Sequence, residues 1–327
     1  MQWDAAEWNE DALHRTPMFA ELENAQRILI AGAGGGFDVY SGLPLYFRLR
    51  AMGKDVHLAN LSFSHLRDHN ARQLCHGLTE VNADSEGWHE YFPEKYLSAW
   101  FRARGEEVPV WCFPRLGGMP MGEAYKALAA ELELDAVVLV DGGTDSLMRG
   151  DEEGLGTPHE DASSLAAVDE LDLPTKLLIC IGFGIDAHHG VCHAHFLEGV
   201  AETIRDGGFL GAHSLLETMP EVQLYREAVH ATFEQMPKRK SVICSSVMSA
   251  IEGHYGDHHA TERTHGSELW INPLMSLVWC FKLDAVANRN LYLEEVKKTE
   301  YLSDISTVIH KKRLAIGRVR PWRSIPV

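Results

Sequence analysis

The stretch Arg27-Ile28-Leu29-Ile30-Ala31, running straight into Gly32-Ala33-Gly34-Gly35-Gly36-Phe37-Asp38, decides the fold class. An almost wholly aliphatic run closed by glycine predicts a strand covered on both faces, because a strand with one wet face alternates polar and apolar residues. The same pattern recurs at Asp55–Asn60 (DVHLAN), Val108–Phe113 (VPVWCF), Ala136–Val140 (AVVLV), Lys176–Gly182 (KLLICIG) and Ser241–Ser245 (SVICS). Between these runs the apolar spacing predicts helices over Ser41–Met52, Pro93–Arg104, Gly122–Glu133, Glu160–Leu171, Val191–Asp206 and Met219–Gln235. Strands alternating with helices form β–α–β units, whose right-handed crossovers place helices on both faces of one sheet. The expectation is an α/β fold: a doubly wound, mostly parallel, Rossmann-like sheet of about six strands.

No repeat, low-complexity linker or Pro/Gly/Ser-rich boundary divides the chain, so residues 26–327 read as a single domain. Residues 1–25 read as a helical lead-in, with Thr16-Pro17 as N-cap and first helical residue. Residues 270–316 read as two or three helices packed on the sheet. Arg67–Trp88, polar and without period, is long for a compact domain and is a lid or insertion candidate.

At 327 residues the chain buries a full core without staples. Its net charge of −17 repels phosphate backbones and anionic lipid, which argues against nucleic acid and membrane as partners and leaves a protein or, as the favoured reading, a small-molecule substrate. Homo-oligomer formation stays open. None of the six cysteines forms a C-x-x-C pair, and Cys180 and Cys244 lie inside apolar runs, which is reduced, cytoplasmic usage. The N-terminus is acidic and has no apolar h-region, and the longest apolar stretches fall far short of the roughly 20 residues that span a bilayer.

Every strand run is followed by a loop with chemistry in it. These are Gly32–Asp38, Asn60–His65, Arg115–Pro120, Asp141–Ser146, Gly184–Gly190 and, after a short helical stretch, His254–His259. In an open parallel sheet such loops emerge on one edge, and ligands bind where the strand order reverses.

The first loop departs from the dinucleotide pattern G-x-G-x-x-G, since Phe37 stands at the third glycine position and the second strand ends in Asn60 rather than an acid. Asp38 suits a helix N-terminus but repels a phosphate there. The loop is therefore read as letting a ligand approach the backbone, with Asp38 binding a hydroxyl, an amine or a metal; a purely structural tight turn is the competing reading. Gly34, Gly35, Gly36, Asn60, Gly142 and Gly143 are the candidate cofactor contacts.

Asp141–Ser146 (DGGTDS) resembles the S-G-G-x-D-S pyrophosphate loop of ATP pyrophosphatases, with Asp141 in place of the first serine. Gly143-Thr144-Asp145-Ser146-Leu147 and Ile185-Asp186-Ala187-His188-His189-Gly190 resemble the G-x-D-S-L and I-D-x-H-H-G segments of zinc deacetylases of the arginase fold. His258-His259-Ala260 resembles their acid–base histidine pair. The segments run in reverse order along this chain, so the likeness is one of site chemistry rather than descent. It implies Asp145, Asp186 and His188 as ligands of a divalent metal (Zn, Mn or Mg); His189 or His258 is the candidate general acid or base, and Asp38 a further candidate catalytic residue. His189 and His193 stand at i, i+4, as do His188 and Cys192, which offers a second way to hold an ion; alternatively, His193 and His195 cap a helix or face solvent.

Taken together, AGAGGGFDVYSGLPL (31–45), LGGMPMGEAYKAL (116–128), DGGTDSLMRGDE (141–152) and GIDAHHG (184–190) resemble a bacterial and archaeal family known as domain of unknown function 1152. That resemblance implies the single-domain Rossmann-like fold and no activity, so function has to be argued from the site. The favoured reading is an enzyme that hydrolyses or rearranges a small polar metabolite with a divalent metal. A nucleotide-dependent transferase or ligase is the first alternative, and a non-catalytic ligand sensor the second.

Overall fold

A computed structural model describes residues 16–66, 71–87, 90–267 and 269–325. Among the described residues there are eleven strands: β1 Arg27–Gly32, β2 Asp55–Leu61, β3 Gln73–Cys75, β4 Leu78–Val81, β5 Val110–Phe113, β6 Ala136–Asp141, β7 Thr175–Cys180, β8 Phe209–Ser214, β9 Gly256–Asp257, β10 Trp270–Ile271 and β11 Leu277–Lys282. All but β9 and β10 join one nine-stranded sheet in the order β3-β4-β5-β2-β1-β6-β7-β11-β8. Its centre, β5-β2-β1-β6-β7, is parallel throughout. Counted along the parallel strands this is 3-2-1-4-5, the doubly wound order, and the chain reverses its direction of travel between β1 and β6.

The helices are α1 Pro17–Glu21, α2 Asp38–Ser41, α3 Leu43–Ala51, α4 Pro93–Ala103, α5 Gly118–Glu131, α6 Pro158–Asp169, α7 His193–Arg205, α8 Pro220–Gln235, α9 Val242–Ile251, α10 Leu283–Ala287, α11 Leu293–Val296 and α12 Leu302–Ile316. Proline opens α1, α4, α6 and α8, where its fixed φ suits the first turn and its missing N–H costs nothing.

Alternation along each strand divides the core between two layers. Ile28, Ile30, Val138 and Val140 pack with Tyr40, Leu43, Leu97, Val222 and Val247 of α2, α3, α4, α8 and α9. Leu29, Ala31, Val137 and Leu139 pack with Tyr125, Leu165, Phe196 and Ile305 of α5, α6, α7 and α12. Both faces of β6 are sealed, every one of its residues being buried.

Three expectations are corrected. Ser241–Ser245 is not a strand: Ser241 caps α9, its Oγ accepting from Cys244 N at 3.1 Å. Its valine and isoleucine run reflects a helix buried in the core, which short-range composition does not separate from a strand. The C-terminal region holds the three helices α10 to α12, but β11 precedes them and inserts antiparallel between β7 and β8. The described part of 67–88 includes the β3–β4 hairpin, which extends the sheet antiparallel to β5; of the two alternatives it fits an insertion rather than a lid, and none of its described residues lines the cavity at the C-terminal edge of the parallel strands.

The strand β8, half exposed and containing Gly211, carries no continuous apolar run and is invisible to sequence reading. Thr16 takes the N-cap position of α1 without a side-chain capping bond, and residues 1–15 of the proposed lead-in lie outside the described residues. All six cysteines are free. Among the described residues no helix is long and apolar enough to cross a membrane.

Candidate functional site

The loops that leave β1, β6 and β7 meet over the point where the strand order reverses. After β1 the chain turns through Gly35 and Gly36, both in the left-handed region at φ 97° and 66°, and enters α2 with Asp38 as its first residue. Asp38 Oδ2 accepts from Gly34 N at 2.7 Å. The strand β6 ends in Asp141, whose Oδ2 accepts from Ser146 N at 3.1 Å. Asp145 follows in a short 3-10 turn, and its Oδ2 accepts from Thr157 N (2.7 Å) and Oγ1 (3.1 Å). Asp161 lies in the first turn of α6, the helix after β6. Asp186 lies in the 3-10 turn after β7, its Oδ2 held by Thr144 N at 2.7 Å.

All five aspartates are buried, and none is in an ion pair among the described residues. One carboxylate oxygen each from Asp38, Asp141 and Asp161 lies within 4.8 Å of the others. Asp161 Oδ1 is fully buried and receives no hydrogen bond.

Electrostatics follow from this crowding. Burial, with the nearby Asp145 charge adding to it, pushes Asp38 up to about 8 against the Gly34 N–H bond that favours its charged form. Burial also raises Asp141, Asp161 and Asp186 well above the usual carboxylate range, and the Asp145 charge adds to each. Asp145 is raised by burial and held back by its bonds from Thr157. A buried carboxylate needs a proton, a cation or a full set of donors, and the protein's own donors fall short here.

The glycines make room for these carboxylates. A Cβ on Gly34 would lie 2.8 Å from Asp161 Oδ1 and 3.0 Å from Asp38 Oδ2. One on Gly142 would lie 2.6 Å from Asp38 Oδ1, and one on Gly143 would lie 2.7 Å from Asp186 Oδ2 and 3.1 Å from Asp141 Oδ1. Phosphate cradling, the other use of such loops, would set phosphate oxygens beside unpaired aspartates.

The aspartates floor a cavity of about 480 Å³, within the range of small-molecule sites. Phe37, Phe63 and Tyr91 form an aromatic side, and Ser241–Ile243 with Arg263, Thr264, Ser267 and Leu269 face it. His188 and His189 stand at the edge with ring centroids 3.8 Å apart. His188 Nδ1 lies 2.7 Å from Ile185 O; a carbonyl only accepts, so Nδ1 carries the proton and Nε2 is left as the basic nitrogen. His189 is lowered from its ordinary value by burial, then by its neighbour His188, which keeps it neutral.

The structure thus brings together Gly34, Gly35, Gly36, Asp38, Gly142, Asp145, Asp186, His188 and His189, with Gly143 abutting Asp186 and Asp141. It separates others. Asn60 is wholly buried beneath the glycine loop, donating to Gly36 O at 2.9 Å and Glu94 Oε1 at 2.7 Å, and presents nothing to a ligand. His258 stacks on His254 outside the cavity, whereas its neighbour His259 links Asp257 to Thr264 on the cavity wall. Gly190, at φ 87°, breaks the turn from α7, so His189 and His193 do not share a helix face; neither do His188 and Cys192, whose thiol donates to Arg323 O. His193 packs against Phe183 and Trp322, and His195 is buried.

Sequence reading missed Asp141 and Asp161 as site residues. Asp141 ends a sealed strand, where an acid has no packing reason to be. Asp161 follows Glu160 in a helical first turn and passes for an ordinary complement to the helix dipole.

No curated protein matches the chain. The sequence profile of the family described as "Protein of unknown function (DUF1152)" matches residues 69–315, which carry Asp141, Asp145, Asp161, Asp186 and both edge histidines, while the glycine loop and Asp38 precede the matched segment. Matched over most of its length, the chain belongs to this family.

Proposed function

We propose that the chain is a metal-dependent enzyme that hydrolyses or rearranges a small polar metabolite at the C-terminal edge of the parallel sheet. The observation that carries this reading is the meeting of Asp38, Asp141 and Asp161 oxygens within 4.8 Å, with Asp161 Oδ1 buried and lacking a donor. Three carboxylate oxygens are a hard donor set, which suits Mg²⁺ or Mn²⁺ better than Zn²⁺. A divalent cation held there would supply Lewis-acid polarisation of a substrate oxygen.

The chain's own groups do the rest. Asp145 and Asp186, each locked through Oδ2 by a threonine N–H, present fixed acceptors to substrate hydroxyls or amines. His188, its Nδ1 held by the Ile185 carbonyl, turns Nε2 outward, and His189, lowered from its ordinary value by burial, is the neutral imidazole beside it; these are the candidate general acid and base. Phe37, Phe63 and Tyr91 offer an aromatic surface to the apolar part of a substrate. The free thiols fit a reducing cytoplasm.

The test is calorimetric titration of the purified, chelator-stripped protein with Mn²⁺, Mg²⁺ and Zn²⁺, repeated on Asp161→Asn and Asp141→Asn. Micromolar Mn²⁺ binding that both substitutions weaken supports the reading, and wild-type protein indifferent to all three ions rejects it.

One feature favours a second reading, the nucleotide-dependent transferase or ligase: glycine-bearing loops flank a doubly wound switch point, where nucleotides bind in many such sheets. It requires Mg²⁺ to bridge phosphate and carboxylates. A thermal-shift screen with ATP and NAD, with and without Mg²⁺, separates the two readings.

A further inference from the structure

Directly under the glycine loop, two wholly buried acceptors lack a donor: Asn60 Oδ1 and Glu94 Oε2. Their residues are already joined, since Asn60 Nδ2 donates to Glu94 Oε1 at 2.7 Å and to Gly36 O at 2.9 Å. The amide cannot be turned over, because its oxygen would then face the Gly36 carbonyl and a carboxylate oxygen, neither of which donates. Nor is there room to move, for Asn60 Oδ1 fills the space that a side chain on Gly32 would take. No cationic group pairs with Glu94 among the described residues; the Ser62 hydroxyl hydrogen-bonds it, and the Tyr40 and Tyr91 phenols and the Cys112 thiol face it.

We propose that Glu94 is held as the neutral acid, its proton shared between Oε2 and the Asn60 carbonyl oxygen, and that this acid–amide pair positions the loop carrying Gly34, Gly36 and Asp38. One proton satisfies both orphaned acceptors at once, whereas the Ser62 hydroxyl, which also hydrogen-bonds Glu94 and favours its charged form, serves the carboxyl alone and leaves Asn60 Oδ1 bare. Glu94 touches no ligand; it acts through Asn60 and Gly36 and is a positioning residue. Burial acts in the same direction, raising Glu94 from 4.5 to about 7 against the Asn60 bond. The acid–amide pair goes beyond the metal-enzyme reading and is tested without metal, whereas its positioning role rests on that reading.

The sign of the pH effect follows. Between about 4.5 and 7 the folded chain keeps a proton that the unfolded chain has lost. The Glu94 contribution is therefore complete below pH 4.5 and is lost as pH rises through about 7, by roughly tenfold in the folded-to-unfolded ratio per pH unit and roughly 300-fold in all. The neighbouring aspartates titrate with the same sign, so the comparison must be made against a variant that changes Glu94 alone.

That variant is Glu94→Gln, whose amide reproduces the donor of the neutral acid and does not titrate. Urea unfolding of wild type and E94Q at pH 4.5 and 8 should show equal stability at the lower pH and a gain of about a hundredfold or more for E94Q at the higher. An E94Q protein less stable than wild type at pH 8, or unable to fold, would overturn the proposal, since it would mean that the carboxylate is the form the site holds. The positioning role is read with Mn²⁺ as probe: Glu94→Ala should bind it roughly 10–100-fold more weakly, and E94Q as tightly as wild type. Equal Mn²⁺ affinity in all three proteins would overturn that role. Wild-type protein that binds no Mn²⁺ would reject the metal-enzyme reading and the positioning role with it, and the unfolding comparison would still decide whether Glu94 is held as the neutral acid.

Discussion

Replacing Asp161 by asparagine should change the sign of its effect with the metal content of the buffer. Without metal, Asp161 has a bare buried Oδ1 among other acids, and burial first, their charges second, disfavour its ionised form, so a neutral isostere relieves rather than costs. Removing an unsatisfied buried group of this kind is worth about 1–3 kcal/mol. For 327 residues, an unfolding entropy of about 2.1 cal/mol/K per residue gives about 0.7 kcal/mol/K, so the variant should melt about 1.5–4 °C above wild type in EDTA. With Mn²⁺ at about a hundred times the wild-type dissociation constant, binding adds about 2.7 kcal/mol to wild type, or about 4 °C. A variant binding about a hundredfold more weakly gains only about 0.4 kcal/mol, or under about 1 °C. Paired thermal melts of the two proteins in EDTA and in Mn²⁺ supply all four values. The same Mn²⁺-induced rise in both proteins, or a variant that melts lower in EDTA, would refute the assignment of Asp161 to a cation site.

Three further outcomes follow from the same geometry. Gly34→Ala places a methyl 2.8 Å from Asp161 Oδ1 and 3.0 Å from Asp38 Oδ2 without any positive-φ strain, so it should abolish Mn²⁺ binding while costing about 1–3 kcal/mol of stability, read by calorimetry and urea unfolding. Long-range nitrogen–proton correlation spectra should show His188 with its proton on Nδ1; a proton on Nε2 would remove it as a base facing the cavity. His258→Ala should leave Mn²⁺ affinity unchanged and stability within about 0.5 kcal/mol, because its ring stacks on His254 away from the cavity.

Much of the candidate site could be read from strand-end loops alone. Asp38, Asp145, Asp186, His188 and His189 were found because each lies just beyond an aliphatic run, and parallel topology carries all such loops to one edge. Asp141 and Asp161 escaped, the one because it is the strand's own last residue and the other because an acid in a first turn is unremarkable in composition. Asn60 and His258 were placed in the site by position along the chain. Their side chains turn under the loop and onto a neighbouring histidine, a choice made by packing that no spacing encodes.

The linear chain determined the layer architecture, because two-sided burial writes itself as unbroken aliphatic runs at β1, β6 and β7 and as prolines and amphipathic spacing where helices begin. It also determined which chemistry was on offer: acids, imidazoles and glycines at strand ends, under a net charge of −17. Tertiary structure alone decided the order of the strands, the antiparallel insertion of β11, the helical state of Val242–Ile251 and the choice of Asp38, Asp141 and Asp161 as the carboxylates that meet. The physical reason is range: backbone periodicity is set by each residue's own neighbours, whereas convergence of carboxylates about 20 to 120 residues apart depends on register, crossover and the side-chain volume left by a glycine.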